Sequence, residues 1–304
     1  MITSGVATRE GTALDNADAA KVYVLADGTV GAAVVDGIGH GPRTSATAPL
    51  LAETAARYTA HRGALPGILG AGLLVADRGP DGEEADAVAV TALADEAGTR
   101  VAWVGDCRAY GWNGDRLTLY TSDQTMGQWV RLYGPPVEIA EQYDHWVRVS
   151  LHSATVASTR EIEVSDPLVI LTSDGVHDQI DPAVLEQLVA DHHEDPQRLA
   201  EALVAAAQED ELGYRDDATV VVLSINHEQI AKEPEMSERL PATVLLLVGD
   251  QAEITTPSRD HTDPERVSVE RLERETGLSR DRLPGAELVA VVGDDGALLR
   301  FERP

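Results

Sequence analysis

Four aspartates in this chain stand where an apolar, β-favouring run meets a turn. Asp36 ends Gly31-Ala-Ala-Val-Val35 and opens Gly37-Ile-Gly-His-Gly41, and Asp106 follows Val101-Ala-Trp-Val-Gly105. Asp174 follows Leu168-Val-Ile-Leu-Thr-Ser173 and precedes Gly175, while Asp216 stands just ahead of Asp217-Ala-Thr-Val-Val-Val222. A carboxylate at the mouth of a hydrophobic strand is expensive to desolvate. Several brought together repel one another unless cations hold them ionised. Such hard oxygen ligands suit Mg²⁺ or Mn²⁺ better than zinc, and no cysteine or histidine cluster has zinc-ligand spacing. Taken singly, each of the four is an ordinary turn residue. Three of them, however, lie beside or within a glycine turn that lets backbone approach an ion closely.

The charge balance fits that picture. The chain has 304 residues, with 52 acidic and 24 basic side chains and a formal net charge of -28. That balance argues against nucleic acid or an anionic membrane surface as the main partner. Phosphate chemistry stays open, provided that cations are recruited. The single cysteine, Cys107, rules out an internal disulfide framework. Met1 to Gly11 has no basic stretch followed by an apolar core, so no signal peptide is expected. No apolar run reaches the roughly 20 residues of a membrane span. The expected location is cytoplasmic.

Residues 21–36 predict a hairpin about Asp27-Gly28. A helix is expected to start near Pro42 and run through the Ala-rich stretch to His61, with a second between Pro66 and Asp77. Short runs at 85–94, 99–104, 108–112 and 116–120, separated by tight turns, predict an antiparallel meander. A short helix is expected over Gln124–Tyr133, and a continuous apolar strand over Pro167–Thr172. Helices follow at Pro182–His192 and Pro196–Gln208, and a buried strand at Asp217–Ile225. The expected organisation is a main domain over 1–226, a linker over 227–240 that lacks a core pattern, and a small accessory α+β domain over 241–304. In the last, a strand at Thr243–Gly249, a charged helix near Val267–Thr276 stopped by Gly277, and a hairpin around Asp294-Asp-Gly296 are expected.

The blocks that carry the aspartates resemble a known family. Val35-Asp-Gly-Ile-Gly-His-Gly41, Val104-Gly-Asp-Cys-Arg-Ala-Tyr110, Leu171-Thr-Ser-Asp-Gly-Val176 and Arg215-Asp-Asp-Ala-Thr-Val-Val-Val-Leu223 are similar, in this order, to the motifs of the bacterial metal-dependent protein phosphatases, the protein phosphatase 2C-like group. The resemblance covers about residues 1–225 and is specific only as a set. It implies an α+β fold, a four-layer α-β-β-α sandwich of two mainly antiparallel sheets, with metals in the cleft between sheet edges. It implies two or three Mn²⁺ or Mg²⁺ ions. Asp36 would bridge two of them, the Gly37 carbonyl would bind one, Asp174 and Asp216 would hold the first, and Asp106 with Asp174 would frame a third. The implied activity is hydrolysis of phosphoserine or phosphothreonine on proteins by a metal-bridged water, without a phosphoenzyme. The implied partner is a phosphoprotein, a kinase or a kinase target.

The first motif departs from the family. In Ala13-Leu-Asp-Asn-Ala-Asp18, Asn16 and Asp18 fit, but Ala13 occupies the position of a phosphate-gripping arginine and Ala17 that of an acidic ligand. Asp15 or Asp18 is a candidate replacement ligand, and Arg43 or Arg9 a candidate replacement for the arginine. These losses motivate an alternative of a different class, a non-catalytic regulatory module on the same fold that binds a phosphoprotein or partner. His40 is a candidate general acid for the leaving oxygen; its other role would be to order its loop through a backbone hydrogen bond. His177 is expected to pack or cap a short helix, and Trp129, Tyr133 and Trp146 to serve packing. Cys107 is not proposed as a nucleophile. The glycine loop after Asp36 is not read as a dinucleotide site, because the third glycine of that fingerprint falls on Pro42.

Overall fold

Ile2–Arg9 forms a strand, β1, and it pairs antiparallel along its whole length with the strand β10 (Ala218–Ile225). The sequence predicts no strand there, because Ile2-Thr-Ser-Gly-Val-Ala-Thr-Arg9 carries only two large aliphatic residues and no sustained alternation. The structure, a computed structural model, describes all residues except 1, 14, 78, 80–83, 96, 135–136, 211, 226–237, 258–263, 293–297 and 304. The chain divides into two units, Met1–His227 and Glu228–Pro304.

In the larger unit, β2 (Asp18–Val24) and β3 (Val30–Gly37) make the expected hairpin about Asp27-Gly28. The helices α1 (Pro42–Arg62) and α2 (Ala64–Gly72) follow. Next come β4 (Ala87–Asp95), β5 (Gly98–Val104), β6 (Arg108–Trp112) and β7 (Leu117–Leu119). After them lie α3 (Met126–Tyr133), β8 (Arg160–Val164) and β9 (Leu168–Thr172). The single-turn α4 (Asp174–His177), then α5 (Pro182–His192) and α6 (Pro196–Ala206), lead to β10. Asp181 caps α5 by accepting from the Ala183 N–H and Asp195 caps α6 by accepting from the Gln197 and Arg198 N–H groups, each helix with proline at its first position.

Two five-stranded sheets result, β2-β3-β4-β5-β8 and β1-β10-β9-β6-β7, with every strand pair antiparallel among the described residues. The single meander expected over 85–120 is therefore corrected. β4 and β5 belong to one sheet, β6 and β7 to the other. Gly105-Asp106 carries the chain across instead of turning it back, and Gly105 has a φ of 84°, a conformation an L side chain resists.

Burial follows the strand alternation. Ala33, Val35 and Ala89 face α1 and α2, meeting Leu51, Ala55 and Ile68. The alternate residues Val34, Val90 and Val101 meet Val169, Leu171, Val221 and Leu223 of the second sheet. Ile170, Val220 and Val222 face Leu185, Val189, Leu199 and Leu203 of α5 and α6. All five residues of β9 are buried, which is why it reads as a continuous apolar run.

The smaller unit holds β11 (Glu238–Val248), β12 (Gln251–Thr255), β13 (Glu265–Ser268), α7 (Val269–Thr276), β14 (Glu287–Val292) and β15 (Leu298–Glu302). They form one sheet in the order β13-β12-β11-β14-β15. Its core joins Val244, Ile254, Leu272, Leu283, Leu288 and Phe301. Residues 238–240, expected in the linker, begin β11, and the rest of that linker from 227 to 237 lies outside the described residues. Val267 and Ser268 end β13 before α7 starts, and Gly277 closes α7 at a φ of 66°. The turn Asp294-Asp-Gly296 lies outside the described residues, between the paired β14 and β15.

Candidate functional site

The ends of strands from both sheets meet at the aspartates. Asp18 opens β2 directly opposite Asp36 at the end of β3. From the other sheet, Ser173 follows β9 and reaches across: its Oγ–H donates to Asp18 Oδ2 at 2.6 Å, while the same oxygen accepts from the Thr219 N–H at 3.0 Å. Asp174 then starts α4. A Cβ on Gly175 would stand 2.0 Å from the Asp217 carbonyl oxygen, so only glycine lets this turn lie against the start of β10. That approach sets Asp174 beside Asp216. Asp106 arrives from the crossing between β5 and β6.

The electrostatics record the crowding. Burial, then the charges of Asp174, Asp18 and Asp106, hold the Asp36 carboxyl well above the usual carboxylate range. Asp36 in its acid form donates a hydrogen bond to Asp174. Burial and the charge of Asp216 lift Asp174 to about 6. Asp106, 9% exposed, is lifted to about 7 by burial, then by Asp174 and Asp123. Burial likewise raises Asp18, against the pull of the Ser173 hydroxyl. Cys107 lies buried among the same carboxylates, and burial and their charges push its thiol up, which fits no nucleophilic role.

The donors are all oxygen. Among the described residues, no group of three or more His, Cys, Asp or Glu side chains is arranged to hold a metal ion. A cation here would be held by carboxylates taken in ones and twos, with water completing its shell. Mg²⁺-like ions, which dehydrate reluctantly, favour that arrangement over a closed protein cage. The unneutralised crowding of Asp18, Asp36, Asp106 and Asp174 fits a divalent guest.

The residues around the cluster differ in their commitments. His40 Nε2 lies 3.2 Å from the Tyr214 hydroxyl and 4.0 Å from Asp216 Oδ1, with no backbone partner among the described residues. The loop-ordering contact is thus made to a side chain. Tyr214 was not singled out from the sequence, because nothing local marks it. Its phenol is raised by burial and by the Asp216 charge. Arg43 is two-thirds exposed and faces Glu84 at 3.5 Å. Arg9 lies elsewhere: its guanidinium donates to the carbonyls of Val204, Ala205 and Ala207 at 3.1–3.2 Å and closes the end of α6. It therefore cannot replace the missing arginine. Asp15 is exposed with a φ of 69°, whereas Asp18 is inside the cluster. His177 is buried, bonded through Nδ1 to the Thr172 hydroxyl at 2.8 Å, and burial holds it neutral. Trp129, Tyr133 and Trp146, expected to serve packing, are 40%, 73% and 55% exposed.

Asp217, the neighbour of Asp216, has a different task. It accepts from the N–H groups of Gly11 and Ala17, each at 2.7 Å, and fastens the loop between β1 and β2. In an Asp-Asp pair the sequence does not say which member faces the cluster and which holds the backbone.

No family model matches the chain, and no curated protein does. Solved structures do share its fold. A serine/threonine phosphatase of Streptococcus agalactiae is similar at a TM-score of 0.64 and 15% identity, over 74% of this chain and 100% of that one. The PPM Ser-Thr phosphatase MsPP of Mycobacterium smegmatis, solved with cacodylate, matches at 0.60 and 23% identity, over 74% and 98%. Serine/threonine phosphatase Stp1 of Staphylococcus aureus matches at 0.60 and 17% identity, over 74% and 96%. At these identities the likeness is one of fold. Among the described residues, no helix is long and apolar enough to cross a membrane.

Proposed function

We propose that this chain hydrolyses phosphoserine and phosphothreonine on proteins with the help of Mn²⁺ or Mg²⁺. The observation that carries the reading is the convergence of carboxylates from both sheets into one cluster, with Asp18 opposite Asp36 and bonded by Ser173, the residue next to Asp174. Its occurrence on a fold shared with bacterial Ser/Thr phosphatases supports it. We read the two sheets of residues 1–226 as the inner layers of an α-β-β-α sandwich, and residues 241–304 as an accessory module.

In this reading Asp36, Asp174 and Asp216, with the Gly37 carbonyl, hold the ions, Asp106 and Asp174 frame a further site, and Asp18 supplies the carboxylate that Ala17 lacks. Bound divalent cations supply a water deprotonated near neutral pH and neutralise charge on the phosphoryl oxygens. The chain's own work is to fix the carboxylates and to exclude bulk water beneath them. His40, steadied by Tyr214, stands at the rim where it can return a proton to the leaving serine or threonine oxygen. Arg43, released from its exposed contact with Glu84, can grip a phosphoryl oxygen. The substrate is a phosphoprotein, a kinase or a kinase target.

Hydrolysis of an aryl phosphate and of a phosphothreonine peptide, each with Mn²⁺ and with chelator, tests the reading. Turnover that requires Mn²⁺ is expected. Its absence in folded protein overturns the enzyme and leaves a phosphatase-fold binding module.

A further inference from the structure

A groove of about 360 Å³ is lined among others by Trp103, Asp123, Gln124, Trp129, Arg148 and Arg160. Its inner wall is tied to the crossing that carries Asp106: the Gln124 N–H donates to the Gly105 carbonyl at 2.8 Å, and Gln124 Oε1 accepts from the Gly105 N–H at 3.0 Å. Its outer wall is α3, whose Trp129 and Tyr133, four residues apart, present rings 6.2 Å from each other. The Arg148 guanidinium lies 5.8 Å from the Trp129 ring centroid. The Arg148 N–H is bonded to the Gln124 carbonyl at 2.9 Å, which fixes this arginine over the groove. Arg160 enters from the start of β8, opposite Trp103.

Charge sets the groove apart from the elements around it. With 52 acidic side chains present, neighbouring arginines find carboxylates: Arg108 takes Asp123 and Arg131 takes Asp144. Arg148 and Arg160 have no ion-pair partner among the described residues, although both line one groove. A chain of net charge -28 repels polyanions such as nucleic acid at long range, so attraction here is local and suits a short segment. We infer that this groove binds the acidic residues flanking the phosphorylated position of a protein substrate, with Arg148 and Arg160 pairing their carboxylates and Trp129 covering their stems. The inference rests on the hydrolase reading for the phosphate's position and adds the class of sequence around it.

Two measurements on the full chain separate the two claims. The first is kcat/KM with Mn²⁺ on phosphothreonine peptides that differ only in acidic or basic flanks, for the wild type and for Arg148→Glu with Arg160→Glu. Both arginines are exposed, so the double variant should fold, and circular dichroism checks this. The wild type is expected to prefer the acidic peptide at least about tenfold, and the double variant to lose or reverse that preference. The second is fluorescence anisotropy of a labelled, unphosphorylated acidic dodecapeptide in chelator, where the double variant should bind at least about fivefold more weakly. Turnover without flank preference, or a preference the double variant keeps, overturns the groove and leaves the hydrolase standing. Arginine-dependent peptide binding without any turnover supports the groove and overturns the hydrolase. Equal anisotropy for both proteins overturns the groove.

Discussion

Asp216 and Asp217 are adjacent yet stand in different relations to the cluster. Asp217 is 3% exposed and occupied by two backbone donors, so replacing it with alanine leaves the Gly11 and Ala17 N–H groups without their acceptor. The Asp217→Ala chain should lose about 2–4 kcal/mol, read as a lower urea midpoint. The cluster residues should behave the opposite way, losing activity without losing fold. Asp36→Asn and Asp174→Asn should each remove about 3 orders of magnitude of turnover or more. Asp106→Asn should slow turnover while leaving the main ions bound. Mn²⁺ titration by calorimetry beside the rate measurement checks both, and wild-type rates in Asp174→Asn would remove it from the centre. Asp36, Asp106 and Asp174 were legible because each closes an apolar run. Ser173 and Tyr214 were not, because a hydroxyl beside an aspartate and a tyrosine in a polar loop carry no local mark of what they touch.

Single elements decide whether the cluster assembles at all. α4 is one turn long, and its position depends on Gly175 lying against the Asp217 carbonyl. A Gly175→Ala substitution must push the two backbones apart. We expect it to cost about 1–3 kcal/mol and about 100-fold in kcat, because a shift of an ångström at Asp174 misplaces the reacting group. Chemical denaturation and turnover measured together check this, and a variant with full activity would show that α4 tolerates displacement. Hairpins, capped helices and the buried β9 were visible in the chain because turn residues, Asp-Pro starts and apolar runs are local signals. Which sheet receives β6 was not, since the choice rests on one left-handed glycine at 105 and on pairing with β9, some sixty residues further along the chain. β1 was hidden for the same reason: its partner is remote and its own pattern weak.

At the level of the whole molecule, the cluster couples stability to pH and to metal. The folded chain keeps protons on Asp106 to about 7 and on Asp174 to about 6, whereas the ordinary value for both is 3.8. Between those values the folded state holds protons that the unfolded state has released, so stability falls as pH rises through this window. In chelator, the melting temperature should therefore drop between pH 5 and pH 8. Asp36→Asn, with one carboxylate fewer to crowd, should drop less, and Mn²⁺ at pH 8 should restore the wild type. Scanning calorimetry of the two proteins checks it, and equal drops would separate the cluster from the pH response.

The pairing of Ile2–Arg9 with Ala218–Ile225 also sets an order of events during synthesis. Ile2–Arg9 has no strand to pair with until more than two hundred further residues have been translated. Closure of that sheet, and with it the alignment of Thr8 against Thr219 beside Ser173, falls at the end of the unit's assembly. A nascent chain stalled before Ala218 would lack Val221, Leu223 and Ile225 between the two sheets and Val220 and Val222 against α5 and α6.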